Sequence, residues 1–266
     1  MLYFTPYSKN ALFQLLAYIN YWLRQVDDHS LHSPFLFRFY NELIKQEHKV
    51  DEQIESLRDK LKQNTESITL QDFGAGSRVS NSKERNISQI ARHASTPSSF
   101  SVFLRELIDY IKLETVVELG TSLGLNTLYL SANTRTKVFT FEGDPSIAKL
   151  AQQNFDECKR SNIELIQGNI DDTYQEVLPR MARIDLAYLD ANHRYEPTLK
   201  YFDLSLEKCH DKSVIVLDDI HWSKEMQRAW DELRQRPEVS LSLDLFEAGI
   251  LFLDPELPNE HYILKF

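Results

Sequence analysis

Acidic residues directly follow two of the predicted strands. Asp190 comes after an apolar run that ends at Leu189, and Asp218 and Asp219 come after a run that ends at Leu217. Ligands of open α/β sheets bind beyond the carboxyl ends of the strands, so we expect these carboxylates to converge there. Clustered carboxylates repel each other, and a hard divalent cation such as Mg²⁺ is one partner that would neutralise them. The simpler alternative is that they cap the helices that follow.

Two histidines lie within three residues of these acids. His193 follows Asp190, and His221 follows Asp219. A neutral imidazole is suited to general-base chemistry, so either side chain could remove the proton of a nucleophile. The predicted catalytic residues are Asp190, His193, Asp218 and His221.

A glycine-rich turn follows an earlier predicted strand, in the segment ELGTSLG that runs from Glu118 to Gly124. Glycines let a ligand approach the backbone, and the helix after the turn offers free N–H groups. The dinucleotide fingerprint G-x-G-x-x-G fails here, and no Gly-Lys-Ser/Thr ending supports a phosphate-binding loop. A similar segment, 72–77, is rejected because Arg92 stands where the required acid would have to be.

The ELGTSLG segment resembles the first motif of the class I S-adenosylmethionine-dependent methyltransferases. An acid that grips the ribose is expected at the end of the next strand, and Glu142 lies 22 residues after Gly120. Gly168-Asn169 after the third strand and Asp190 after the fourth match the family's later motifs, over roughly residues 96–266. The resemblance implies that S-adenosylmethionine is bound by Glu118, Gly120, Thr121, Ser122, Gly124, Glu142, Gly143, Gly168, Asn169, Ile170 and Asp190.

More specifically, the chain resembles the cation-dependent O-methyltransferases of the catechol and caffeoyl-coenzyme A type. That resemblance implies O-methylation of a small-molecule acceptor, with Mg²⁺ held by Asp190, Asp218 and Asp219, although Asp219 stands where that family has Asn. It also implies that Ser98 and Ser99 fold over the cofactor. In an otherwise acidic chain, Arg78 and Arg85 belong to a basic stretch that could clamp an anionic substrate group.

Three other functions remain open from the sequence. One is an N-methyltransferase or an enzyme that modifies a protein side chain without a metal. Another is a non-catalytic S-adenosylmethionine-binding scaffold that acts through partner binding. An aminopropyl transferase would share the same fold.

Alternating strands and helices from about residue 112 predict an α/β, Rossmann-like doubly wound sheet. The sheet is expected to be mostly parallel, with an antiparallel C-terminal hairpin at one edge. Residues 74–99 are predicted to be a loop-rich connector. We expect an N-terminal helical region over 1–95, serving as a lid, a substrate wall or a dimer interface, and a methyltransferase domain over 96–266.

Composition excludes several classes of protein. The chain has 266 residues, a net charge of −10 and two cysteines. An acidic chain is poorly suited to nucleic acid or to anionic membranes, and two distant cysteines do not suggest a zinc site. With neither a signal peptide nor a membrane span recognised in the sequence, we expect a cytoplasmic protein. The wide apolar face of the helix predicted over residues 8–26 makes a homodimer plausible.

Overall fold

The structure, a computed structural model, describes residues 10–47, 49–70 and 84–266. It divides into two compact units, one formed by Met1–Gln46 with Ala187–Phe266 and the other by Glu47–Leu186. These limits differ from the predicted division into 1–95 and 96–266, which stays a prediction.

Ten helices and ten strands are present in the described ranges. The helices are α1 (Ala11–Arg24), α2 (Pro34–Phe39), α3 (Glu52–Gln63), α4 (Ile87–His93), α5 (Ser98–Ile111), α6 (Leu125–Leu130), α7 (Pro145–Glu157), α8 (Ile170–Val177), α9 (Tyr195–Leu206) and α10 (Lys224–Leu233). The strands are β1 (Ser67–Thr69), β2 (Glu84–Asn86), β3 (Thr115–Leu119), β4 (Lys137–Glu142), β5 (Ile163–Gln167), β6 (Ile184–Leu189), β7 (Cys209–Asp218), β8 (Leu241–Asp244), β9 (Ala248–Phe252) and β10 (Glu260–Ile263). A π-helical turn, Tyr40–Ile44, continues α2, and short 3₁₀ turns lie at Asp28–Ser30 and Leu178–Arg180.

The central sheet has eight strands in the order β10-β8-β9-β7-β6-β3-β4-β5. Strands β3, β4 and β5 are parallel, whereas β9 runs antiparallel to both β7 and β8. The predicted mostly parallel α/β fold is confirmed. The predicted antiparallel C-terminal hairpin is also confirmed, since β8 and β9 form it; it lies one strand in from the edge, where β10 runs parallel to β8.

Local sequence explains why the parallel strands and their helices form. Every residue of β6 is buried, as expected for a parallel strand that is covered on both faces. Helix α7 starts where the sequence predicted, because the Asp144 carboxylate accepts hydrogen bonds from the N–H groups of Ser146 and Ile147. Pro145 occupies the first helical turn, where its missing N–H costs nothing.

The predicted connector over 74–99 contains regular structure in its described part. Strand β2 pairs antiparallel with β1 in a separate two-stranded sheet, and α4 follows it directly. Ile87, Ile90 and Ala91 are buried on α4, a spacing of three and four that is typical of an amphipathic helix. The polar residues around them concealed this short pattern.

No helix in the described part of the chain is long and apolar enough to cross a membrane.

Candidate functional site

The glycine-rich turn between β3 and α6 adopts the backbone conformations that its sequence suggested. Gly120 has φ 107° and Gly124 has φ 77°, in the region where a side chain is strained. A Cβ on Gly124 would also overlap the ring of Phe155. The N–H groups of Gly120 and Thr121 both donate to the carbonyl oxygen of Phe141 at 3.1 Å, which holds the turn against β4.

Glu118 anchors this turn from inside the protein. It is fully buried, and its carboxylate accepts hydrogen bonds from Asn126 at 2.8 Å, from Thr140 at 2.7 Å and from the Thr127 hydroxyl. Burial raises the pKa of Glu118 to about 7, although these three hydrogen bonds oppose the shift. The observed contacts join β3 to α6 and β4, so they position the turn.

Glu142 ends β4 and joins the turn to the next helix. Its Oε2 accepts from the Ser122 N–H and its Oε1 from the Asp144 N–H, both at 2.9 Å. Burial raises the pKa of Glu142 to about 7, against the effect of these backbone donors. A carboxylate has about four acceptor positions, so these two donors leave room for a ligand hydroxyl.

The other residues predicted to bind the cofactor in this unit surround the same strand ends. The Gly168 N–H donates to the Glu142 carbonyl at 2.9 Å, and Gly168 itself has φ 138°. Asn169 caps α8 by accepting from the Asp171 N–H, and the helix begins at Ile170. Ser122, Glu142 and Gly168 are therefore brought together, as predicted, by β3, β4 and β5.

Ser98 and Ser99 begin α5. The Ser98 hydroxyl donates to Glu55 at 2.8 Å, while Ser99 is exposed. The segment that precedes them reaches the turn, because the Ser122 hydroxyl donates to the Ala94 carbonyl at 2.9 Å. The predicted roles of Ser98 and Ser99 toward the cofactor stay predictions.

In the other unit, His193 lies between two of the predicted carboxylates. Its Nε2 is 3.4 Å from Asp190 Oδ1, and its Nδ1 is 4.0 Å from Asp219 Oδ2. Nδ1 is buried and has no hydrogen-bond partner among the described residues. Asn192, His193 and Asp219 have φ values of 64°, 39° and 55°, so the loops after β6 and β7 are held in an uncommon conformation.

Asp218 completes this acidic group. Its carboxyl group hydrogen-bonds with Asp190 and lies near Asp219 and Glu247. Burial, reinforced by the Asp219 charge, raises the pKa of Asp218 well above its usual range. Sequence reasoning missed Glu247, which lies beyond β8 and carries no recognisable motif.

His221 has a different environment from the one that the sequence suggested. It is buried, its Nε2 is 2.9 Å from Asp244 Oδ2, and its ring stacks on Phe246 with centroids 5.2 Å apart. The carbonyl of the next residue, Trp222, accepts a hydrogen bond from Gln14 of α1 at 2.9 Å. No local pattern predicted Asp244, because its pairing with His221 depends on how β8 is placed.

The structure adds little evidence for the predicted roles of the remaining residues. Arg85 lies in β2 opposite Ile68, and Arg78 and the segment 72–77 lie outside the described residues. Among the described residues, the predicted Mg²⁺ ligands Asp190, Asp218 and Asp219 do not form a group of three or more His, Cys, Asp or Glu side chains placed to hold a metal ion. Binding of Mg²⁺ by these three residues stays a prediction.

Comparison with known proteins agrees with this geometry. Residues 117–220 match a family model described as a methyltransferase domain, and comparison with curated proteins gave no match. The fold resembles SAH-bound methyltransferase PaMTH1 from Podospora anserina, with a TM-score of 0.60 and 13% identity over 84% of this chain and 96% of that one. It also resembles an O-methyltransferase from Bacillus cereus in complex with SAH, with a TM-score of 0.53 and 19% identity over 60% and 82% of the two chains.

At these identities the structural likeness establishes the fold, whereas the matched family model covers the glycine-rich turn and the strand-end acids. The chain therefore matches a methyltransferase domain over residues 117–220, within a fold that it shares with methyltransferases whose structures contain SAH.

Proposed function

We propose that this enzyme methylates a hydroxyl group of a small molecule, with His193 as the general base. The observation that carries the proposal is the position of His193 between Asp190 and Asp219, with a buried Nδ1 that lacks a described partner. Two flanking carboxylates stabilise the imidazolium that forms when the ring accepts a proton. The structures of O-methyltransferases with the same fold are consistent with this chemistry.

S-Adenosylmethionine, when bound, supplies a methyl group on a positively charged sulfur, and the residues of the Glu47–Leu186 unit fit it. Glu142 offers free acceptor positions to the two ribose hydroxyls, while Gly120 and Gly124 leave the turn open to close approach. The fixed position of Ser122 against Glu142 keeps the turn in place without the ligand. These residues bind and orient the cofactor. They contribute to catalysis by holding its methyl group close to the acceptor.

Residues of the unit that contains Ala187–Phe266 remove the proton of the acceptor hydroxyl. With Nε2–H directed at Asp190, the His193 ring keeps the lone pair on Nδ1, which accepts the acceptor's hydroxyl proton as the oxygen attacks. Asp219 is then near the charge that develops on the ring. A carboxylate that accepts a hydrogen bond from one ring nitrogen selects the tautomer with a lone pair on the other nitrogen, as in other histidine general bases.

The test measures methyl transfer from radiolabelled S-adenosylmethionine to a panel of phenols, catechols and hydroxy acids, with products identified by mass spectrometry. His193→Gln should lower kcat by about 10²- to 10⁴-fold, the range of general-base catalysis, while S-adenosylhomocysteine still binds. His29→Gln is the matched control, because His29 is exposed in a short turn of the N-terminal region.

Retention of full activity by His193→Gln would contradict the assignment of the base. Products that are methylated only on nitrogen would contradict the proposed O-methylation and support the N-methyltransferase alternative. Each assay is repeated with EDTA and with added Mg²⁺. A strict requirement for Mg²⁺ would favour the metal-assisted route that the resemblance implied.

A further inference from the structure

Helix α1 has two faces with opposite environments. On its inner face, Ala17 and Tyr21 are buried. On its outer face, six large apolar side chains are between 43 and 70% exposed: Leu12, Leu15, Leu16, Ile19, Trp22 and Leu23. Isolated exposed apolar residues are ordinary, but a continuous patch of this kind marks an interaction surface.

The contacts of the inner face fix which side of α1 is exposed. Gln14 donates to the Trp222 carbonyl, and the Tyr21 hydroxyl donates to the Leu264 carbonyl at 2.6 Å. The Tyr18 ring packs edge-on against Phe246, with centroids 5.1 Å apart. Turning the helix to bury the apolar stripe would break these contacts, so the stripe faces outward in the folded unit.

The stripe has the spacing of a helix–helix seam. Its residues recur at intervals of three and four, and Leu12, Ile19, Leu15 and Trp22 occupy the a and d positions of two heptads. Leu16 and Leu23 widen the seam on one side. Such a pattern packs against another apolar helix by inserting side chains into the spaces between its neighbours.

The near absence of charge on α1 favours a second copy of the chain over a membrane surface as the partner. Arg24 is the single Lys, Arg, Asp or Glu in α1, and the chain carries a net charge of −10. Helices that lie on anionic membranes carry Lys and Arg along their polar face, so this helix does not fit a lipid surface. A second copy of the chain would bring together two uncharged stripes and keep most of the acidic surface apart.

The exposed apolar area of the stripe is also large enough for an interface with a second copy of the chain. The exposed parts of the six side chains amount to roughly 500–600 Å² of apolar surface per copy, judged from the size of whole apolar and aromatic side chains. The polar rim around such a seam raises the total toward the ~800 Å² per partner of a standard interface. We propose that α1 is a homodimer interface, in which the outer apolar stripes of two copies pack against each other around a twofold axis between Leu16 and Ile19.

The test is the molar mass of the purified full-length protein by sedimentation equilibrium at about 1–50 µM, a range that detects micromolar dissociation constants. The wild type should have twice the chain mass of 31.2 kDa. Leu16→Glu should weaken dimerisation by at least ~100-fold, since it places two like charges next to the twofold axis in an apolar seam. Because Leu16 is exposed within one copy, the variant should keep the wild-type circular dichroism spectrum.

Two further measurements identify the partner surface. Phe37→Glu is the matched control, because Phe37 is exposed to a similar degree on α2, outside the stripe, and this variant should stay dimeric. An equimolar mixture of Leu16→Glu and Leu16→Lys should regain dimers, since opposite charges then meet near the axis. A monomeric wild type, a dimeric Leu16→Glu protein, equal dissociation by Phe37→Glu, or a mixture that stays monomeric would each overturn the proposal.

Discussion

The carboxylate of Glu142 makes a quantitative prediction about cofactor binding. Its two backbone hydrogen bonds, from Ser122 and Asp144, leave acceptor positions for ribose hydroxyls, and those positions are strongest when the group is ionised. The pKa of Glu142 is raised to about 7 by burial, so below pH 7 the side chain is mostly protonated before the ligand arrives. Affinity for S-adenosylhomocysteine should therefore rise as pH increases through 7 and level off above it.

The size of the effect follows from the fraction of carboxylate. With a pKa near 7, that fraction falls about ten-fold between pH 8 and pH 6, so the dissociation constant should be about ten-fold higher at pH 6. Glu142→Gln removes the charge and leaves one of the two backbone donors without an acceptor. We expect this variant to bind about 30- to 1000-fold more weakly at pH 8, from the loss of about 2–4 kcal/mol of charge-assisted hydrogen bonding.

Isothermal titration calorimetry at pH 6, 7 and 8 measures both quantities. Glu164→Gln is the matched control, because Glu164 lies on the adjacent strand β5 and pairs with Lys137 at the surface. Its affinity should show the wild-type pH dependence, whereas that of Glu142→Gln should be flat. A wild-type affinity that is constant from pH 6 to 8, or a Glu142→Gln protein with an unchanged slope, would refute the reasoning.

Two predictions concern stability, both measured by urea unfolding. Gly124→Ala should lower the free energy of unfolding by about 2–4 kcal/mol, because the new Cβ meets Phe155 and has to adopt φ 77°; Gly143→Ala, outside the positive-φ region, should cost much less. Asp185→Ala should cost about 2–5 kcal/mol, because its buried carboxylate accepts two backbone N–H groups at the start of β3, both at 2.8 Å. Asp109→Ala, which removes an exposed hydrogen bond to Asn133, should change stability by less than about 0.5 kcal/mol; equal losses in the two aspartate variants would contradict this account.

The sequence by itself determined the order of strands and helices and the turn that follows β3. These features depend on local rules: apolar runs form buried strands, Asp144-Pro145 starts a helix, and Gly120 and Gly124 permit positive φ. The position of Glu142 at the end of the next strand is equally local, since it depends only on where β4 stops. The cofactor side of the site was therefore accessible from residue types and spacing.

Tertiary structure decided the rest, because it depends on contacts between residues that are distant in the chain. Insertion of β9 between β7 and β8 follows from pairing across the whole C-terminal region, and local periodicity does not encode it. His193 and His221 looked equivalent in sequence, yet one lies between Asp190 and Asp219 while the other pairs with Asp244 under α1. Spacing places a side chain at a strand end, but only the packing of neighbouring elements sets its partners, its burial and its proton affinity.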